Sequence, residues 1–307
     1  MSYLPFAILA QLLNSVAVTI DKFLLTETIP DPLIYIFYFS LISLGVLLAI
    51  PFLHFPPVSV FILSSVSTLT WTGGAYLMFK ALKSGQVQRV IPLIGALTPI
   101  FLLFLTAQYH PLAGKQIIAV AILIAGLILL TLENLKGKFN KTELLLEIIS
   151  ALFFAVSYYL LSLSFEKQDY FTVLVWSRPI LIPLGIVILM IPVLRKKITS
   201  FIALTFSSQP ISGSTNNKWP SILAFIAGQI SAAASELLLL FSISLANPAI
   251  VNSLQGIKYV FLLALSLILG KKFPGVFKSN FQGINGLSQI LGVVLIGIGL
   301  YLLAFAA

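Results

Sequence analysis

The sequence predicts an all-α polytopic membrane protein with ten transmembrane helices in two inverted five-helix repeats. Three observations carry the prediction. The chain is 59% hydrophobic and 9% charged, with a mean hydropathy of +1.07, whereas a soluble domain carries about 25% charged residues. Apolar runs of the length that crosses a bilayer, about 20 residues, tile the 307 residues with little left over. Three spans of the second half also resemble spans of the first, in the same order. Barrel strands are excluded because they would alternate over about ten residues.

The spans fall at 3–22, 32–53, 58–81, 85–107, 114–132, 143–164, 171–194, 219–244, 248–270 and 286–305. Turn chemistry separates them: Ile29-Pro30-Asp31-Pro32, Phe55-Pro56-Pro57, Lys83-Ser84-Gly85 and Asn247-Pro248 remove donors or restrict the backbone. The amino terminus, Met1-Ser2-Tyr3-Leu4-Pro5, lacks the basic region of a cleavable signal, so span 1 is expected to stay in the mature protein.

The repeats emerge from self-comparison. Residues 116–130 laid on 289–303 give seven identities in fifteen positions, which relates span 5 to span 10. At a constant offset of 140, Leu12 meets Leu152, Val16 meets Val156, Ile42 meets Ile182, Leu44 meets Leu184 and Gly45 meets Gly185. Spans 1 and 2 thereby map onto spans 6 and 7, defining repeats at 1–135 and 142–307. An odd number of spans per half turns the second half upside down, the architecture of many secondary transporters.

With ten spans as five plus five, a span 4 reading Gly85-Gln-Val-Gln-Arg-Val-Ile-Pro-Leu-Ile-Gly-Ala-Leu-Thr-Pro-Ile100, and Gly-Leu-x-Leu-Leu closing each half, the chain resembles the drug/metabolite transporter superfamily, EamA-like branch. The resemblance covers essentially the whole chain. It implies a central cavity lined by spans 3, 4, 8 and 9 and the transport, often outward, of small metabolites. It also implies cytoplasmic termini, whereas the basic residues favour the opposite. Thirteen of them, among them Lys22, Lys136, Arg195, Lys196, Lys197, Lys271 and Lys272, follow odd-numbered spans. Lys115 and Lys167 lie on the other side. By the positive-inside rule both termini are then outside.

Three charges lie well inside spans: Arg178 in span 7, Glu236 in span 8 and Lys258 in span 9. Each costs about 2.5 to 3.5 kcal/mol to insert, and such groups usually face a wet cavity or the bundle interior. Counted from one membrane face at about 1.5 Å per residue, they lie roughly 10, 12 and 15 Å deep, in one layer. The tight Asn247-Pro248 turn makes spans 8 and 9 neighbours, so Glu236 and Lys258 are expected to pair. Gln229, Ala233 and Glu236 share one face of span 8, and Asn252, Gln255 and Lys258 form a polar arc on span 9. Trp71 and Tyr76 of span 3 are candidates for the cavity wall. Packing is the competing explanation for the small residues beside Glu236, and Trp176 is a competing partner for Arg178. Asp21 and Arg89, close to span ends, read as interfacial groups.

Taken together, these residues predict a secondary-active transporter of a small polar metabolite, such as an amino acid, working by alternating access in the cell membrane of a prokaryote. Arg178 and Lys258 would hold an anionic part; Glu236 would hold an ammonium group or carry a coupling proton. The expected partners are the small-molecule substrate and membrane lipid. The alternatives are a flippase for a lipid-linked substrate and a non-transporting membrane scaffold. No nucleic-acid partner is expected, because the net charge of +9 is spread over short connections. There are no cysteines, His54 and His110 lack companions, and Gly114-Lys115 lacks the surroundings of a phosphate-binding loop. No enzyme activity, cofactor or metal is therefore expected.

Overall fold

Proline sets where several helices begin. It occupies the first helical position of α2 (Pro32–Ser43), α9 (Pro192–Phe206) and α11 (Pro248–Ser253), where its missing N–H has no helical partner to lose. The computed structural model describes residues 3–25, 32–84, 87–107, 112–131, 141–206, 219–270 and 284–305, and within them every regular element is helical. The remaining elements are α1 (Tyr3–Leu25), a 3-10 helix η1 (Leu44–Phe52), α3 (Val58–Ser84), α4 (Val87–Thr106), α5 (Gly114–Thr131), α6 (Lys141–Phe165), α7 (Tyr170–Trp176), α8 (Leu181–Met190), α10 (Trp219–Leu245), α12 (Gln255–Gly270) and α13 (Ile284–Phe305). Ile29-Pro30-Asp31, residues 132–140, Lys271-Lys272 and the side chains of Asp21 and Arg89 lie outside the described residues.

Five stretches are long and apolar enough to cross a membrane: Tyr3–Ile20, Val58–Ala81, Lys141–Phe165, Tyr170–Met190 and Ile226–Leu245. Shorter apolar helices cover Phe39–Phe52, Val90–Thr106, Gly114–Leu129 and Ile290–Leu303. The chain is a multi-pass integral membrane protein.

Three expected spans depart from continuous helices. The second is α2 followed by nine residues of 3-10 helix containing Pro51, far longer than the usual three or four. The seventh breaks between Trp176 and Leu181. Pro179 has no N–H to offer there, and the turn is held by Arg178 N donating to Val175 O (3.2 Å) and Leu181 N to Arg178 O (2.9 Å). The ninth breaks at Leu254, whose N–H donates to Val251 O at 3.3 Å. Residues 192–194, expected to end the seventh span, and 195–206, expected to begin a connection, form α9 instead, with Arg195, Lys196 and Lys197 exposed and Ile198 buried.

The principal packing pairs are α1 on α10, α3 on α6 and α5 on α13. Small residues let the helix backbones approach, and hydroxyls join them. Ser235 Oγ donates to Ala10 O and Ser150 Oγ to Gly74 O, both at 2.8 Å; Ser67 Oγ donates to Ser157 O at 2.8 Å. On the third pair, Gly126 of α5 faces Ile296 and Gly299 of α13 faces Leu123, each too closely for a Cβ. Leu102, Leu123, Leu254 and Val173 are fully buried in the common core.

Candidate functional site

The site begins with the seam between α1 and α10. Because Ser235 bonds the Ala10 carbonyl, the next residue, turned by about 100°, is directed away from α1. That residue is Glu236, whose charge acts on Tyr158 of α6, Tyr170 of α7 and Arg178. Arg178 occupies the break between α7 and α8. It interacts with Glu236 through charge alone, without a hydrogen bond. Both groups are densely surrounded by protein, yet both keep partial accessibility.

Tyr170 is fixed from several directions. It opens α7, whose cap is Asp169: the carboxylate accepts from Thr172 N (3.0 Å) and Gln168 Nε2 (3.0 Å), satisfying a free donor of the first turn. Burial raises the Asp169 carboxyl, but these hydrogen bonds outweigh it and hold the group below its ordinary range. The Tyr170 hydroxyl donates to Leu237 O at 2.8 Å, which ties α7 to α10 beside Glu236. Its ring meets Phe241 edge-on at 5.3 Å and Phe171 at 5.2 Å.

Trp71 joins the cluster through Tyr158. Its indole N–H points toward the Tyr158 hydroxyl and interacts with it, but closes no full hydrogen bond. The indole is stacked on Phe39 at 5.0 Å and edge-on to Phe154 at 5.9 Å. Trp176, a sequence candidate for Arg178, packs instead against Phe55 (4.8 Å) and Phe61 (6.5 Å).

Lys258 is the main correction. Neither Glu236 nor Lys258 is in the electrostatic surroundings of the other, so the expected pair is replaced by Glu236 with Arg178. The physical reason is the break at Leu254: α11 packs on α4 while α12 packs on α1 and α5, and Lys258 goes with α12. Its Nζ lies 5.1 Å from the Tyr259 ring centroid, and the residue is 7% exposed. Asn252 and Gln255 form a second polar group. Asn252 Nδ2 donates to Pro248 O (3.0 Å) and Gln255 Nε2 to Asn252 Oδ1 (3.1 Å). Gly95 of α4 seats this group, since a Cβ there would lie 3.1 Å from Gln255 Oε1 and 3.4 Å from the Tyr259 hydroxyl oxygen.

Of the eight sequence candidates, Glu236, Arg178 and, through Tyr158, Trp71 therefore come together, Asn252 and Gln255 bond to each other, and Lys258 lies over Tyr259. Gln229 is buried on α10, nearly two turns before Glu236, and Tyr76 is half-buried on α3; neither acts on Glu236. Sequence reasoning missed Tyr158 and Tyr170. Phenols inside or at the start of apolar spans were the available signal, because a buried hydroxyl seeks a polar neighbour.

No family model matches the chain, and no curated protein matches it. Solved structures do match. One of them, described only as "Crystal structure of protein", is similar with a TM-score of 0.61 at 16% sequence identity, over 100% of this chain and 97% of that one. That likeness is one of fold.

Proposed function

We propose that the protein is a secondary-active transporter of the drug/metabolite type, EamA-like, which moves a small polar metabolite such as an amino acid by alternating access through a central cavity. The observation that carries the reading is the Glu236–Arg178 pair. Two opposite charges, each partly accessible, act on one another inside a bundle of apolar helices and are not spent on a hydrogen bond with each other. Intramembrane charges are costly and usually functional, and a discontinuous helix at the charged residue is how many transporters build their sites. Glu236 holds an ammonium group; Arg178 holds a carboxylate, by the charge-assisted hydrogen bonds that guanidinium makes well.

Ten spans in two inverted repeats, 1–135 and 142–307, fit the packing. Under the offset that aligns span 1 with span 6, Ala10 corresponds to Ser150, and each sits at a serine-to-carbonyl bond to another helix, Ala10 to α10 and Ser150 to α3. Under the alignment of 116–130 with 289–303, Gly126 corresponds to Gly299 and Leu123 to Ile296. Each glycine then receives the counterpart of the residue that its own helix sends across. Equivalent contacts exchanged between halves are what a pseudo-two-fold relation produces.

The test is transport by purified protein in proteoliposomes against a panel of amino acids and related zwitterions. Glu236→Gln and Arg178→Gln are each expected to lower uptake by at least about tenfold, the loss of one charge-assisted hydrogen bond. Undiminished transport in both variants would overturn the site. A wild-type protein that moves nothing across the panel would favour a scaffold. Uptake driven by an imposed pH gradient, lost in Glu236→Gln, would make Glu236 the proton carrier rather than the ammonium ligand.

A further inference from the structure

We infer that Lys258 and the Tyr259 hydroxyl form a second binding site, where α12 meets α4, which takes a small carboxylate anion. The site is separate from the Glu236–Arg178 pair and does not depend on the transporter reading of that pair.

The rotation of α12 is fixed on two sides. Gly256 meets α13, where an added Cβ would lie 3.1 Å from Ile296 Cδ1, and Gly95 of α4 meets Gln255 and the Tyr259 ring. Two donors result, both more than nine-tenths buried: Lys258 is 7% exposed and Tyr259 8%. The Tyr259 hydroxyl makes no hydrogen bond among the described residues. No carboxylate among them acts on the Lys258 ammonium, whose neighbour is the Tyr259 ring, 5.1 Å away. A ring face offsets less than the insertion of a charge costs, and a buried donor with nothing to donate to carries its own desolvation penalty. Two such donors on successive residues, one of them cationic, call for a shared anionic acceptor.

The spacing of the donors selects the kind of anion. The hydroxyl is carried by the ring over which Nζ sits, so the two donors are at most about 8 Å apart, a distance that one carboxylate spans by accepting at about 2.8 Å on each oxygen. A monatomic anion reaches both donors only at the short end of that range. A third polar atom limits the charge of the ligand. Asn252 Nδ2 donates to Pro248 O, which leaves Asn252 Oδ1 to accept from Gln255 Nε2. Gln255 therefore presents its acceptor, Oε1, beside Gly95, where the Tyr259 hydroxyl oxygen also lies. The further anionic oxygens of a phosphate or sulfate would meet that carbonyl without a proton between them. Two oxygens and one charge fit the donors and avoid the acceptor.

The experiment uses the full chain in phosphatidylcholine nanodiscs, in a buffer free of other carboxylates, with isotope-labelled acetate as the probe and its binding read by nuclear magnetic resonance. Lys258→Met and Tyr259→Phe are each expected to weaken acetate binding by about tenfold or more, the loss of one hydrogen bond to a charged group. Tyr259→Phe keeps the ring beside Lys258 and removes only the oxygen, so it carries the test if Lys258→Met fails to fold. Lys258→Arg, which keeps the charge, is expected to retain part of the binding. Acetate binding equal in wild type, Lys258→Met and Tyr259→Phe would overturn the inference. Binding that survives both of these variants and is lost in Arg178→Gln would likewise overturn it, by assigning the carboxylate to the Glu236–Arg178 pair. A second probe, an amino dicarboxylate, identifies the source of the anion. Affinity for it that needs Lys258 and Arg178 together would make the anion the second acid of one solute, and acetate binding that needs Lys258 alone would make it a separate ligand; either result supports the site.

Discussion

Replacing Gly126 by alanine tests the packing of α5 on α13. A Cβ at Gly126 would fall 2.9 Å from Ile296 Cγ1 and 3.0 Å from both Gly292 O and Ile296 N. Ordinary carbon contacts begin at about 3.5 Å, so the overlap is about half an ångström on three atoms. Two of those atoms are backbone and cannot rotate away. Overpacking of this kind costs about 1–3 kcal/mol, and the helix preference of alanine over glycine returns at most about 1 kcal/mol. Because two of the three obstacles are backbone, the upper part of the net range applies, and Gly126→Ala is expected to destabilise by about 1–3 kcal/mol, while the α5 and α13 axes are forced apart. Gly299→Ala meets Leu123 Cγ at 2.6 Å and Cδ2 at 2.9 Å, with Ala119 O at 3.2 Å, so its main obstacle is a side chain. Leu123→Ala removes that obstacle and is expected to couple favourably with Gly299→Ala by about 1 kcal/mol or more, despite its own cavity cost of about 2–5 kcal/mol. Ile296→Ala is not expected to rescue Gly126→Ala to the same extent, because the Gly292 carbonyl stays in place. The assay is reversible unfolding of detergent-solubilised protein by increasing dodecyl sulfate, with double-mutant cycles on both pairs. A wild-type midpoint for Gly126→Ala, or equal rescue in the two cycles, would refute the reasoning.

Other outcomes follow from the site. In substrate-binding cycles, Glu236→Gln and Arg178→Gln are expected to be non-additive by more than about 0.5 kcal/mol, whereas Glu236→Gln and Lys258→Met are expected to add within that limit; the reverse pattern would restore the pairing read from sequence. Asp169→Ala removes the cap of α7 and is expected to cost about 1 kcal/mol, read by the same unfolding assay. The Asp169 carboxyl is held below its ordinary value in the folded protein, so its contribution is full above the unfolded value of about 3.9 and is lost as pH falls through the lower folded value. Stability measured from about pH 6 to about pH 2, the span in which carboxylates titrate, is expected to decline more steeply in wild type than in Asp169→Ala over its acidic end; parallel curves would show that the cap contributes nothing.

Much of the fold was legible because the bilayer imposes a one-dimensional rule. Backbone polar groups in hydrocarbon must be satisfied within the segment, so an apolar run such as Ile226–Leu245 declares a helix whatever its neighbours do. The breaks were less legible. Pro179 and Pro51 were visible, but proline within a span is compatible with a kink, a 3-10 stretch or a complete break, and neighbouring helices decide which. The helix at 192–206 escaped notice because Arg195-Lys196-Lys197 read as a connection.

The sequence by itself determined the solvent, the helical class and the residues expensive enough to require a purpose: Glu236, Arg178 and Lys258. Only the tertiary structure decided which of them meet. Depth along a span follows from counting residues, since the rise is nearly constant, and depth put all three charges in one layer. Direction within that layer depends on how each helix is rotated and on where it breaks. Ser235 rotates Glu236 toward α6 and α7, the Pro179 turn places Arg178 opposite it, and the Leu254 break leaves Lys258 over Tyr259. Periodicity gives a helix its faces, but only packing against other helices says what each face sees.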